Sequence, residues 1–198
     1  MGLLFWTALA SIVRDTRNKG AFGEMIVTSM FTSKFFGEEE RYLINDLYFE
    51  RNGVTHQVDH ILIYHKGIFV IETKHLSGIT IGNLEDQHWQ SIINNNSYDL
   101  YNPVLQNNTH CEVVAKFLNG KYKVYSIIVF TNENKPQDIP APVINFSELK
   151  DYIINYPKND NLSSEEMQNL DLKLKDYKEN CTITSSEHIA SLQDKHGK

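Results

Sequence analysis

The sequence predicts a domain of the α/β class, because strand-like apolar runs are interspersed with helical segments along its 198 residues. Two neighbouring runs, Gln57–Tyr64 and Gly67–Lys74, consist mostly of β-branched and aromatic residues, which favour strands. A third run, Val124–Phe130, is almost continuously apolar, which is typical of interior strands buried on both faces. Asn102-Pro103 predicts a helix start, because asparagine is a good N-cap and proline suits the first helical position.

The other elements follow from local patterns. Upstream of the two runs, we expect a helix from Gly20 to about Lys34, a strand at Tyr42–Phe49 and a turn at Arg51-Asn52-Gly53. Downstream, we expect Ser77–Gly82 to continue the same sheet, followed by a short strand with Trp89 and Ile92-Ile93 and a polar loop at Asn94-Asn95-Asn96. A helix from Pro103 to Leu118 or Asn119 and a strand at Val143–Phe146 come next. The C-terminal part is expected to form a helix capped by Ser147 and ending at Ile154, a helix over Glu165–Tyr177 with a Ser163/Glu166 capping box, and a last helical turn near Glu187–Leu192.

The link between the two neighbouring apolar runs is so short that only a tight hairpin can join them. A two-residue turn predicts the opposed pairs Tyr64/Gly67, Asp59/Glu72 and Gln57/Lys74. Directly opposed side chains share a face and have Cβ atoms ~5 Å apart. A bulge at Gly67 is the alternative, and it would move Glu72 to the other face.

Asp59 and Glu72 are carboxylates within apolar runs, and Lys74 follows two residues after Glu72. Two acidic oxygens hold a hard cation such as Mg²⁺, and a lysine beside a phosphate can orient water or stabilise charge. Facing carboxylates repel each other and buried ones are costly, so a bound cation would explain the pair. The alternative interpretation is a solvated edge strand that carries the Glu72 and Lys74 charges.

Several motifs resemble those of the NERD (nuclease-related) domain, in the same order, from about Lys19 to Leu149. They are Lys19-Gly20-Ala21-Phe22-Gly23-Glu24, Leu43-Ile44-Asn45-Asp46-Leu47, Gln57-Val58-Asp59-His60-Ile61-Leu62-Ile63, Gly67-Ile68-Phe69-Val70-Ile71-Glu72-Thr73-Lys74, Trp89-Gln90, and Asn102-Pro103-Val104-Leu105-Gln106 with His110. In combination these motifs are far more specific than the Glu72–Lys74 triplet alone.

The NERD domain is similar to the PD-(D/E)XK nuclease superfamily, and this resemblance implies a restriction-endonuclease-like core with a mixed central β-sheet flanked by helices. It also implies DNA processing with Mg²⁺ or Mn²⁺. The implied metal ligands are Asp59, Glu72, the Thr73 backbone carbonyl and Glu24 of the first helix, and the implied catalytic lysine is Lys74. Val58 stands where the superfamily name has a proline.

Three polar residues outside this set are candidate partners of the site. Gln57 would orient water or substrate. Gln106 and His110 are four residues apart on one helix and therefore share a face. Their spacing resembles a glutamine and tyrosine pair of the superfamily's exonuclease branch, so both are expected to face the carboxylates and contact DNA. Replacing both with alanine is expected to reduce cleavage with little loss of stability.

Glu24 has a competing explanation as a surface residue of a first helical turn, where the helix dipole favours a carboxylate. Glu38-Glu39-Glu40 is a second acidic cluster, which has the pattern of a solvated turn or a helix start.

The composition suits one globular domain, with 41% hydrophobic and 22% charged residues. The net charge of −6 excludes a general DNA-coating protein, which would be basic, but is compatible with catalysis. The two cysteines have no metal-binding spacing and indicate reduced thiols, which predicts a cytoplasmic location. The eight histidines lack the spacing of a zinc site.

The division expected is an apolar N-terminal segment (1–18), a nuclease-related domain (19–155) and a C-terminal helical appendage (156–198). Leu3–Val13 is too short for a ~20-residue membrane span. It is interpreted as a packed helix, an interfacial membrane anchor through Phe5 and Trp6, or the end of a longer span.

Two classes of function fit these observations. The first is a metal-dependent nuclease that hydrolyses DNA phosphodiester bonds. The second is a non-catalytic DNA- or protein-binding module on a nuclease-like scaffold, with membrane association through Leu3–Val13 as a variant. The presence of Asp59, Glu72 and Lys74 together favours the enzyme.

Overall fold

The computed structural model describes residues 19–132, 134–157 and 160–183. In chain order, its elements are α1 (19–32), β1 (Arg41–Arg51), β2 (Val54–Tyr64), β3 (Gly67–Lys74), β4 (Ile79–Ile81), β5 (His88–Ile93), β6 (Asn96–Tyr101), α2 (Pro103–Phe117), β7 (Val124–Phe130), β8 (Val143–Asn145), α3 (Phe146–Ile154) and α4 (Ser164–Asn180).

Five strands form the central sheet in the order β1-β2-β3-β7-β8. The first three are antiparallel, and β7 and β8 continue the sheet in parallel from β3. Core residues of α2 and α4 pack on one face, and those of α1 and α3 pack on the other. The predicted α/β core, with a mixed sheet flanked by helices, is confirmed.

Local sequence signals agree with this sheet at two places. Asn52 and Gly53 make the turn between β1 and β2 in the left-handed conformation, with φ values of 54° and 74°. The four residues Ile127 to Phe130 of β7 are completely buried, as predicted for an interior strand.

The segment from Ile79 to Tyr101 forms a separate three-stranded antiparallel sheet, in the order β4-β5-β6. The prediction that Ser77–Gly82 continues the central sheet is therefore wrong. The predicted polar loop is a two-residue turn of Asn94 and Asn95, both left-handed, and Asn96 begins β6.

Trp89 of β5 attaches this small sheet to the body of the protein. Its side chain is completely buried, its indole N–H donates to the Asn83 carbonyl at 2.8 Å, and its ring stacks on Phe130. The tryptophan is therefore a core residue of the described structure.

The two C-terminal helices differ in how well their starts are predicted. α3 begins at Phe146, two residues before the expected start, because Glu148 accepts the backbone N–H of Asn145 at 2.7 Å. The Ser163/Glu166 capping box of α4 is confirmed.

α4 packs against the sheet and contributes Met167, Leu170 and Leu174 to the main core cluster. The division of the chain at residues 18 and 155 stays a prediction. Leu3–Val13 and Glu187–Leu192 lie outside the described residues. Among the helices of the described ranges, none combines the length and the apolar character needed to span a bilayer.

Candidate active site

The candidate site lies where β2 and β3 separate. The two strands pair from Tyr64/Gly67 to His60/Ile71, which is the register predicted from the hairpin. At the next position the ladder ends, and Asp59 Oδ2 accepts the backbone N–H of Thr73 at 2.9 Å. A carboxylate thus occupies the position at which the paired strand would otherwise continue.

The same position is irregular on the other side of β2. The register between β1 and β2 is continuous except at Asp46 and Asp59, and Asp46 has a left-handed backbone with φ 53°. Val58 and Ile61 are three residues apart but lie in the same core cluster. Since strand side chains alternate between faces, the alternation is interrupted at Asp59.

This interruption turns Gln57 away from the catalytic candidates. Ile68 and Val70 lie in the same cluster as Val58, so alternation along β3 places Glu72 and Lys74 on that face. Gln57 is on the opposite face and donates to Asp46 Oδ1 at 2.8 Å. The expectation that Gln57 shares a face with Glu72 and Lys74 is not met, and its orienting role stays a prediction.

Glu72 is 3% exposed and is held by two cationic or polarisable groups. Lys74 Nζ lies 2.6 Å from Oε1, and His110 Nδ1 lies 3.3 Å from Oε2, outside hydrogen-bond geometry. Burial alone would raise the pKa of Glu72, but Lys74 and His110 outweigh it and lower the pKa to about 2. Glu72 is therefore a carboxylate that stays ionised in the protein interior.

Asp59 has the opposite electrostatics. Burial, followed by repulsion from Glu72, raises its pKa well above the usual value, against the opposing effect of the Thr73 N–H. Without a further positive charge, the protonated form of Asp59 is therefore favoured relative to an exposed aspartate.

α1 approaches the end of β3 closely because residue 23 is glycine. A Cβ atom at Gly23 would lie 2.8 Å from His75 Cβ and 3.1 Å from the methyl group of Thr73. The next residue, Glu24, is half-buried. Burial, Asp46 and Glu72 raise the pKa of Glu24, and Lys74 opposes them, so its carboxyl group belongs to the same electrostatic cluster.

α2 approaches the site from the other face. Asn102 caps it by accepting the Val104 N–H at 2.8 Å, which sets the phase of the helix. Gln106 Oε1 then accepts from Lys74 Nζ at 3.2 Å, and His110 faces Glu72. Both residues lie beside the carboxylates, as expected, and their contact with DNA stays a prediction. His110 is only 5% exposed, so it is a buried residue and the expectation of little loss of stability does not extend to it.

Residues 19–131 match the family model described as the Nuclease-related domain, NERD. The chain belongs to this nuclease-related family. An uncharacterised protein of Bacillus anthracis is 30% identical to it over 112 residues, which are 57% of this chain and 52% of the relative. The chain thus spans about half the length of the curated relative that it matches. No solved structure matches it.

Within this nuclease-related domain, sequence inspection missed Asp46 and Tyr48. Burial and a hydrogen bond and charge from Asp46 raise the pKa of Tyr48 to about 12, and Glu24 and Asp59 add to the effect. The two residues thus border the carboxylates on the β1 side. An aspartate in the middle of a predicted strand was the available signal, because strands disfavour aspartate.

The donor set of the nuclease-related site suits a hard cation with water ligands. Glu72 Oε2 is buried and has only His110 nearby at 3.3 Å, and burial and repulsion from Glu72 raise the pKa of Asp59, which a cation would lower. The N–H and C=O of a strand residue point to the same side, so the Thr73 carbonyl is directed towards Asp59. In the described ranges, no three His, Cys, Asp or Glu side chains converge enough to hold an ion between them. A cation that keeps several waters, such as Mg²⁺, requires only one or two carboxylates.

Proposed function

We propose that this protein hydrolyses phosphodiester bonds of DNA with Mg²⁺ or Mn²⁺. The observation that carries the proposal is the setting of Glu72: a buried carboxylate beside Asp59, with Lys74 2.6 Å from one oxygen and His110 3.3 Å from the other. A purely structural ion pair between Glu72 and Lys74 would not explain a second carboxylate, Asp59, at the same place. Membership of the nuclease-related family supports the same activity.

The residues of the site have separable roles in this proposal. Asp59, Glu72 and the Thr73 carbonyl would hold the cation, with Glu24 as a further carboxylate. A bound Mg²⁺ supplies Lewis-acid polarisation of the phosphate and of the attacking water. Lys74 is held by Glu72 and Gln106, which positions its ammonium group to stabilise charge that develops on the phosphate.

His110 and Gln106 act through these groups in the proposal. His110 faces Glu72 and favours its ionised form. Gln106 fixes the position of the Lys74 ammonium by accepting one of its protons. The net charge of −6 disfavours tight binding to DNA, so we expect weak substrate affinity that falls further as salt is raised.

Incubation of the purified chain with plasmid, linear and single-stranded DNA tests this function, with Mg²⁺, Mn²⁺ or EDTA. Lys74→Met is the diagnostic variant, and Lys150→Met of α3 is its control, because Lys150 binds the Phe35 carbonyl away from the carboxylates. We expect metal-dependent cleavage products with the wild type and with Lys150→Met, but none with Lys74→Met. We also expect Lys74→Met to bind Mn²⁺ with the affinity of the wild type.

Two results would redirect the proposal. DNA binding without cleavage by the wild type under every metal condition would indicate the non-catalytic binding module. Loss of Mn²⁺ binding in Lys74→Met would make Lys74 a structural residue of the metal site.

A further inference from the structure

His60 is a buried polar residue directly behind the carboxylates. It is 1% exposed and belongs to the paired part of β2, next to Asp59. Its Nδ1 lies 2.8 Å from Asn45 Oδ1, and its Nε2 lies 3.1 Å from Thr73 Oγ1. With the amide oxygen of Asn45 facing the ring, Nδ1 carries the proton and Nε2 accepts from the Thr73 hydroxyl.

Thr73 is the point at which this histidine reaches the site. Its hydroxyl contacts His60, while its backbone N–H donates to Asp59 Oδ2 at 2.9 Å. The methyl group of the same side chain lies against Gly23 of α1. His60 and Gly23 thus hold the Thr73 side chain from two directions, next to the backbone N–H that donates to Asp59.

Asn45 extends the same network to α1. Its amide nitrogen donates to Thr28 Oγ1 at 3.1 Å, one helical turn after Glu24. The helix that carries Glu24 is thus fixed at two points, by Gly23 against Thr73 and by Thr28 against Asn45. His60 is bonded to both Asn45 and Thr73.

We propose that His60 is a positioning residue of the metal site, which aligns Thr73 with Asp59 and holds α1 so that Glu24 faces the same carboxylates. The inference rests on the proposed metal-dependent function. This role differs from packing because His60 hydrogen-bonds to Asn45 and Thr73, which lie on different strands. Asn45 contacts α1, and Thr73 donates to Asp59. Supporting groups of this kind cost about 10–100-fold in metal affinity or activity when they are removed.

Thr73→Val is the sharpest test, because valine keeps the methyl group and the shape but cannot bond to His60. His60→Leu removes the ring contacts, and His60→Gln restores an amide that can donate or accept at the ring's distal position. Trp89→Phe is the control, since it deletes a buried hydrogen bond to Asn83 outside the site. The Mn²⁺ dissociation constant, the cleavage rate at saturating Mn²⁺ and the melting temperature are measured for each protein.

We expect Thr73→Val and His60→Leu to weaken Mn²⁺ binding or slow cleavage at least tenfold, with His60→Gln recovering most of the loss. Trp89→Phe should lower the melting temperature and leave both site measurements within twofold.

The proposal is overturned if Thr73→Val changes stability alone, or if Trp89→Phe weakens Mn²⁺ binding equally. A wild type that cleaves DNA while these variants match it refutes the positioning role only. A wild type that neither binds Mn²⁺ nor cleaves refutes the proposed function as well. Should His60→Leu fail to fold, Thr73→Val decides.

Discussion

Asp59 and Glu72 both lie where strands β2 and β3 separate, yet their pKa values are shifted in opposite directions. The difference follows from their partners. Glu72 has the Lys74 ammonium at 2.6 Å, while Asp59 has a single backbone N–H. Glu72 is in a direct ion pair, whereas Asp59 has none among the described residues and receives only a smaller effect from Lys74.

Replacing Asp59 with asparagine should abolish metal-dependent cleavage and raise the melting temperature of the metal-free protein at pH 7. A folded-state pKa above the unfolded value means that ionised Asp59 costs stability as pH rises through that pKa. Asparagine removes this cost. Differential scanning fluorimetry in EDTA and a plasmid-cleavage assay measure the two effects, and full Mg²⁺-dependent activity in this variant would contradict the site assignment.

Replacing Glu72 with alanine should also abolish cleavage but should lower metal-free stability, by about 3 kcal/mol, because it leaves the Lys74 ammonium without its carboxylate. Denaturant unfolding of Glu72→Ala beside Glu72→Gln measures this cost. We expect glutamine to lose less, since its amide oxygen still accepts from Lys74. Equal stability of Glu72→Ala and the wild type would show that Lys74 finds another partner.

Replacing Gly23 with alanine should separate α1 from β3. The added methyl group would meet His75 Cβ at 2.8 Å, and relief of such overpacking costs about 1–3 kcal/mol. We also expect weaker Mn²⁺ binding, because Glu24 moves with the helix. Gly20→Ala is the matched control, since open space surrounds that position and alanine favours a helix by up to about 1 kcal/mol. Similar Mn²⁺ affinities in the two variants would remove Glu24 from the site.

The two polar residues of α2 should differ in what they contribute to stability. Gln106→Ala removes one acceptor of Lys74 and should cost about 1 kcal/mol while slowing cleavage. His110→Ala empties a buried position and should cost about 2–3 kcal/mol in addition to its effect on Glu72. Urea unfolding compares the two variants, and a larger loss for Gln106→Ala would mean that His110 is not held as tightly as its burial indicates.

His60 should make the metal-free protein less stable as pH is lowered from 7 towards 4, which opposes the gain from protonation of Asp59. Burial lowers the pKa of His60 from 6.5 to about 4, so the unfolded chain binds a proton before the folded protein does. Stability contributed by neutral His60 is present above pH 6.5 and is lost towards pH 4, by about 3 kcal/mol in total.

Thermal unfolding in EDTA at several pH values tests this, and His60→Gln should show a flatter profile between pH 7 and 4. Glu72 adds a loss at lower pH, between 4.5 and about 2, as its carboxylate is protonated. An unchanged slope in His60→Gln would assign the pH dependence to other groups.

Short-range signals predicted much of this structure. The hairpin register around Tyr64 and Gly67 followed from link length, and the start of α2 followed from Asn102-Pro103. The orientation of Gln57 could not be predicted this way, because it depends on the left-handed backbone of Asp46 in a different strand. Ile79 and Ile81 have the alternation of a strand, but alternation does not say which sheet a strand joins. The hydrogen bonds of His60 likewise join distant parts of the chain.

The chain leaves β3 at Lys74 and returns to the site in α2 at Gln106. Lys74 Nζ donates a hydrogen bond to Gln106 Oε1. The segment between them, which contains the small sheet, therefore begins and ends close to the same place. Inside this segment, Asn102 Nδ2 donates to the carbonyls of Leu84 and Asp86. Residues 75–105 contain no lysine or arginine. Because Trp89 is a core residue and Asn102 caps α2, the exposed turn of Asn94 and Asn95 is the part of this segment that can be lengthened without moving Lys74 or Gln106.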